Sequence, residues 1–68
     1  MSMSKEAEIT SSSPDSFEDA VNKGLERAGK TLENVHNAWV KDLKTTVENG
    51  RIAEYRVTMN ISFIIPED

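Results

Sequence analysis

The sequence predicts an α+β fold of order β-α-β-β, a three-stranded antiparallel sheet in the order 1-3-2 packed on one helix. Three observations predict it. Apolar residues recur at steps of three and four between Ser13 and Val35, the spacing of one helical face. From Ala53 to Ile65 apolar and polar residues alternate, the period of a strand. Between these runs stands Asn49-Gly50, the dipeptide that a two-residue hairpin turn favours, because both central residues need positive φ.

Taken in order, Met1–Ser4 reads as a frayed end. Lys5–Thr10 alternates, with Ala7 and Ile9 on one side, and is expected to form a short first strand. Ser11-Ser12-Ser13-Pro14 reads as the turn into the helix, since serine recruits nearby backbone groups. In the helix, Phe17, Ala20, Val21, Gly24, Leu25, Ala28, Leu32 and Val35 line the apolar face. Glu18, Asp19, Asn22, Lys23, Glu26, Arg27 and Lys30 line the wet one. Ser13 is expected to cap the first turn, with Pro14 at the first helical position and Asp15, Glu18 and Asp19 at the positive end of the dipole. Asp19–Lys23 and Glu26–Lys30 have the spacing of helical ion pairs. Gly24 falls inside the apolar stripe, where a missing side chain costs about 1 kcal/mol relative to Ala; close approach of helix and sheet is the expected return. Gly29 lies on the wet face, where the helix is expected to weaken.

Asn37–Val47 mixes polar and β-branched residues and supplies the second strand. The third strand, Ala53–Ile65, puts Ala53, Tyr55, Val57, Met59, Ile61, Phe63 and Ile65 on one face. Glu54, Arg56, Thr58, Asn60 and Ser62 take the other. Pro66 ends it, and Glu67–Asp68 reads as a solvated tail. A helical crossover makes the first two strands parallel, and the hairpin sets the third against the second. The longest and most regular apolar run then belongs in the middle, beneath the helix. With Asn49 and Gly50 as the loop, Val40 faces Met59 and Ala38 faces Ile61 under the helix. Trp39 faces Asn60, Lys41 faces Thr58 and Leu43 faces Arg56 on the far side. Asn37, Trp39, Leu43 and Arg56 should therefore point away from the chain's own core. An indole there calls for cover by another subunit or a flat ligand.

A chain of 68 residues is expected to form a single domain, residues 1–68, that buries only about 60% of its unfolded surface. Small domains of this size need a supplement. Cysteine is absent, which removes disulfides and thiolate metal sites together. Self-association is the supplement left. The net charge of −4, from 12 acidic and 8 basic residues, argues against a nucleic-acid partner. No apolar run approaches the ~20 residues of a membrane span. Met1–Ser4 lacks the features of a signal peptide, so a cytoplasmic location is expected.

Read together, these segments resemble the dodecins, small proteins that assemble as hollow dodecamers and bind flavins. The resemblance rests on Ser-Pro-Asp-Ser-Phe-Glu-Asp-Ala at 13–20, Arg-Ala-Gly-Lys-Thr-Leu at 27–32, Val40 with Asp42, and Tyr55-Arg56-Val57-Thr58-Met59 running to Ser62-Phe63. It implies a homododecameric shell that stores or sequesters a flavin (FMN, riboflavin or FAD), or a similar flat aromatic ligand, between subunits. In flavin-binding dodecins a Trp early in the second strand and a Gln in the third hold the ring; here Asn37 and Arg56 stand at those positions. Trp39, two residues beyond, projects from the same face by alternation. Asp42 matches an acidic position that helps bind the flavin side chain, and Lys44 a basic one that contacts phosphate in some members. The resemblance thus implies a ligand site of Asn37, Trp39, Asp42, Lys44 and Arg56. It also implies an alternative, since dodecin-like proteins lacking the flavin Trp form flavin-less shells, some associated with calcium or other ions.

Other classes fare worse. Catalysis needs a nucleophile or an acid–base pair in a cleft, and the one histidine, His36, has no such partner in the pattern; no enzyme is expected. Calcium needs six to eight oxygens, so a site using His36, Asp42, Glu54, Glu67 or Asp68 must be assembled from several subunits.

Overall fold

Fifteen helical residues lie on a sheet more than twice their length. In the computed structural model, which describes residues 2–66, the elements are β1 (Ser2–Ser13), α1 (Phe17–Thr31), β2 (Val35–Glu48) and β3 (Arg51–Pro66). The strands form one antiparallel sheet in the order β1-β3-β2, as the sequence predicts. The helix is about 22 Å long at 1.5 Å per residue. The sixteen residues of β3 span about 53 Å at 3.3 Å each, which accounts for the molecule's 54 Å long dimension.

The strands exceed their expected bounds. β1 takes in Ser11–Ser13, which pair with Val57–Tyr55 instead of turning, and Ser2–Ser4, which pair with Pro66–Ile64 instead of fraying. Met1 and the expected Glu67–Asp68 tail lie outside the described residues. The two loop residues of the β2–β3 hairpin, Asn49 and Gly50, have φ of 53° and 74°, the positive values that the Asn-Gly pair was expected to adopt.

The helix starts later than expected. Ser16, not Ser13, is the cap: its Oγ accepts from the Asp19 backbone N–H at 2.9 Å. Pro14 and Asp15 precede the helix, and Glu18 and Asp19 fill its first turn. Ser13 Oγ instead accepts from the Asp15 N–H at 2.9 Å and donates to Asp19 Oδ2 at 2.6 Å. This ties the end of β1 to the start of α1. Asp19 also meets Lys23 at 3.2 Å; among the described residues Glu26 and Lys30 do not form the second expected pair. The helix runs through Gly29 and ends at Thr31, with the Leu32 N–H on Ala28 O at 2.8 Å. Leu32 and Val35 therefore lie beyond it.

The core is small. Ala20 and Ala28 of α1 and Val57, Met59 and Ile61 of β3 are its buried apolar residues, with Ile9, Phe17 and Val21 packed at the margin. Phe17 meets Tyr55 edge-on, ring centres 5.0 Å apart. Gly24 permits this contact of helix and sheet. A Cβ there would stand 2.8 Å from Met59 Cε and 3.0 Å from Ser11 Cβ. The buried serines of β1, Ser11 and Ser13, are thus small residues over which the helix docks.

α1 lies mainly over β1 and β3, leaving β2 bare. From His36 to Lys44 every residue of β2 is exposed, on both faces of the sheet. Val40, Leu43 and Val47, with Ile52 of β3, add their apolar surface to that of Trp39.

Two outcomes test this packing. Gly24→Val should lower stability by about 2 kcal/mol in denaturant unfolding, because overpacking costs 1–3 kcal/mol. A variant as stable as the parent contradicts the close approach. The second concerns Asp19, whose pKa is lowered from 3.8 by the Ser13 hydroxyl first and by Lys23 second. Its stabilisation is complete above that unfolded-state value and fades as pH falls through the lower folded one. Replacing Asp19 by Asn should therefore flatten the acid limb of a thermal-stability profile; an unchanged limb contradicts the linkage.

Candidate functional site

Opposed residues on neighbouring strands share a face of the sheet, so the register determines what each face presents. Val57, Met59 and Ile61 of β3 lie beneath the helix. Arg56, Thr58, Asn60 and Ser62 therefore occupy the opposite, open face. On β2, Ala38 with Ile61, Trp39 with Asn60 and Val40 with Met59 are the pairs the sequence predicts, and Asn37 pairs with Ser62.

The register then shifts by one at Lys41. Beyond it Asp42 pairs with Thr58, Leu43 with Val57, and Lys44 with Arg56. Two predicted pairs are overturned, Lys41 with Thr58 and Leu43 with Arg56. Leu43 moves with Val57 to the helix side, yet stays 54% exposed, because α1 does not reach it. The physical reason is a β-bulge, one extra residue that reverses the alternation beyond it. Further shifts fall between Val35 and Asn37, and between Thr46 and Val47.

The consequence for the site is direct. Unbroken alternation from Trp39 sends Asp42 and Lys44 to the helix side. The bulge returns both to the open face, so Asn37, Trp39, Asp42, Lys44 and Arg56 all share it. With β1 included, four rows cross this face. They are Glu6–Ser62–Asn37, Glu8–Asn60–Trp39, Thr10–Thr58–Asp42 and Ser12–Arg56–Lys44.

Charge and hydrogen bonding grade along the rows. Trp39 is 58% exposed and is the open face's aromatic platform. Glu8 meets Lys41 at 3.6 Å; the two sit on the outer strands, so their ion pair crosses above β3. Thr10 and Thr58 join hydroxyls at 3.3 Å. Arg56 donates to Glu54 at 2.9 Å while standing opposite Lys44. Like charges directly opposed destabilise a sheet, and Glu54 offsets one of the two. The row keeps a net positive end.

These groups suit an elongated ligand with a flat ring, a hydroxylated middle and an anionic end. An indole stacks on the ring, Asp42 accepts from hydroxyls, and Lys44 with Arg56 meets an anion. The donor set therefore fits a flavin, although the ring-binding positions of the resemblance hold Asn37 and Arg56. Asn60 and Lys41 hold the face expected of them, and Glu8 joins it without having been expected. The signal for Glu8 was its alternation with Ala7 and Ile9 in β1. The signal for the bulge was the apolar positions of β2, even at Ala38 and Val40 but odd at Leu43 and Val47. Among the described residues no three His, Asp or Glu side chains converge to hold a metal ion. None of the described helices is long and apolar enough to cross a membrane.

A family model described as Dodecin matches residues 3–65. The dodecin of Thermus thermophilus is 30% identical over 63 residues, 93% of this chain and 91% of the relative. Among solved structures, the dodecin from Streptomyces davaonensis superposes with a TM-score of 0.92 at 29% identity, covering 97% of each chain. The calcium-chelating antigen of Mycobacterium tuberculosis, a calcium dodecin, superposes at 0.83 with 27% identity, over 97% of this chain and 94% of that one.

Proposed function

The chain belongs to the dodecin family, and from that premise we propose that it assembles into a homododecameric shell that binds and sequesters a flavin between subunits. The observation that carries this reading is the Lys41 bulge, which brings Trp39, Asp42, Lys44 and Arg56 onto one face. Trp39 takes the stacking role, about 7 Å along the strand from Asn37. Asp42 accepts from the ligand's hydroxyls. Lys44 and Arg56 hold a terminal phosphate when the ligand carries one. A flat face on one chain cannot enclose a ring, but a symmetric contact presents the same patch twice. A second copy then closes the site and excludes water. A flavin supplies redox and light-absorbing chemistry; a ring clamped between indoles is stored rather than turned over. The role is binding, not catalysis.

A second reading has a specific observation behind it, the similarity to a calcium dodecin. In that case the shell carries no flavin, and carboxylates from several subunits share an ion.

One titration separates the two. Purified protein should quench FMN fluorescence, and Trp39→Ala should weaken binding by about fivefold or more, since stacking on an aromatic side chain contributes about 1–3 kcal/mol. An assembled Trp39→Ala variant with unchanged affinity overturns the stacking role. A shell that ignores FMN but takes up calcium supports the second reading.

A further inference from the structure

We propose that Asn60 reads the edge of the ring stacked on Trp39, selecting a heteroaromatic ligand that carries an imide. This rests on the stacking site proposed above and names its specificity-determining residue. Trp39 and Asn60 are directly opposed, which places their Cβ atoms about 4.5–5.5 Å apart on the same face. A ring lying against the indole brings its border to the carboxamide. Asn60 belongs to the central strand, paired with Glu8 on one side and Trp39 on the other. Its backbone is fixed from both sides, so the carboxamide is held by a rigid element rather than a loop.

A carboxamide offers an N–H donor and a C=O acceptor side by side. That is the complement of an imide, in which an N–H stands beside a carbonyl. The other polar groups of the open face are less suited. Arg56 has donors alone, lies two rows from Trp39 and is engaged by Glu54 at 2.9 Å. Thr58 shares its hydroxyl with Thr10. Asn37 sits on the edge strand, opposite Ser62 in the neighbouring row.

The remaining member of Trp39's row is Glu8, tied to Lys41 across β3. With both ends about half exposed, this ion pair adds little stability. It spans the open face above β3, the strand that carries Asn60.

Paired titrations test the assignment, using quenching of riboflavin and of 3-methylriboflavin, whose imide N–H is replaced by a methyl group. The parent protein should bind riboflavin about tenfold more tightly than the methylated form, roughly the contribution of one hydrogen bond. Asn60→Ala should bind riboflavin about tenfold more weakly and no longer distinguish the two. Asn60→Ser, which keeps a small polar residue in the central strand, should lose the same discrimination and serves if the alanine variant fails to assemble by size exclusion. An assembled variant that still prefers riboflavin tenfold overturns the role of Asn60, as does a parent protein that binds both flavins alike; the stacking site survives either result. A parent protein that quenches neither flavin removes the stacking site and the Asn60 assignment together.

Discussion

The sheet is too large for its helix. α1 covers about 22 Å of a sheet whose central strand runs about 53 Å, and it sits over β1 and β3. Hydrophobic burial scales with the apolar area removed from water, and here the chain removes little. Its buried apolar residues reduce to Ala20, Ala28, Val57, Met59 and Ile61. Val40, Leu43 and Val47 of β2 remain in solvent on the helix side, and Trp39 on the other. An exposed edge strand with apolar side chains invites pairing with another chain. The chain has no cysteine, so no disulfide supplements this small core.

The second constraint is a single residue. Lys41 is the extra member of β2, and the alternation reverses there. Without it the strand presents Trp39 on one face and Asp42 and Lys44 on the other. With it, one face carries the ring platform, the acid and the cations in linear order. The same shift moves Leu43 to the helix side, where it joins Val40 in the apolar strip beyond the helix's reach. Local backbone geometry thus divides β2 into one face with Trp39, Asp42 and Lys44 and another with Val40 and Leu43. Bulges commonly re-aim side chains in this way next to functional sites.

Much of the fold was legible because its signals are local and repeated. The alternation of β3, the Asn-Gly turn and the helical stripe gave strand order and layer arrangement directly. Gly24 was readable as a close contact because a glycine inside an apolar stripe needs a reason. Less legible were the features set by one residue. Ser13 and Ser16 both precede the helix, and the choice between them turns on Ser16-Phe17-Glu18-Asp19, whose spacing matches a capping box. β1 continues through Ser11–Ser13, and Ser11 is the small residue beneath Gly24, a tertiary requirement that turn propensity does not report. For the site, the resemblance supplied Asp42 and Lys44, whereas strict alternation misplaced them; the parity change between Val40 and Leu43 was the available clue. Asn60 was placed opposite Trp39 by the hairpin register, whereas Glu8 drew no notice as an isolated polar residue and gains meaning only from its row.

The central claim is that β2, bare on both faces from His36 to Lys44, is covered by other copies of this chain. Light scattering on the dilute, purified protein measures this directly. The expected result is one species of about twelve times the 7.6 kDa mass of a chain, persisting on dilution. A folded, stable species of single-chain mass would contradict the account, because Val40 and Leu43 on one face and Trp39 on the other would then remain in water at no evident cost.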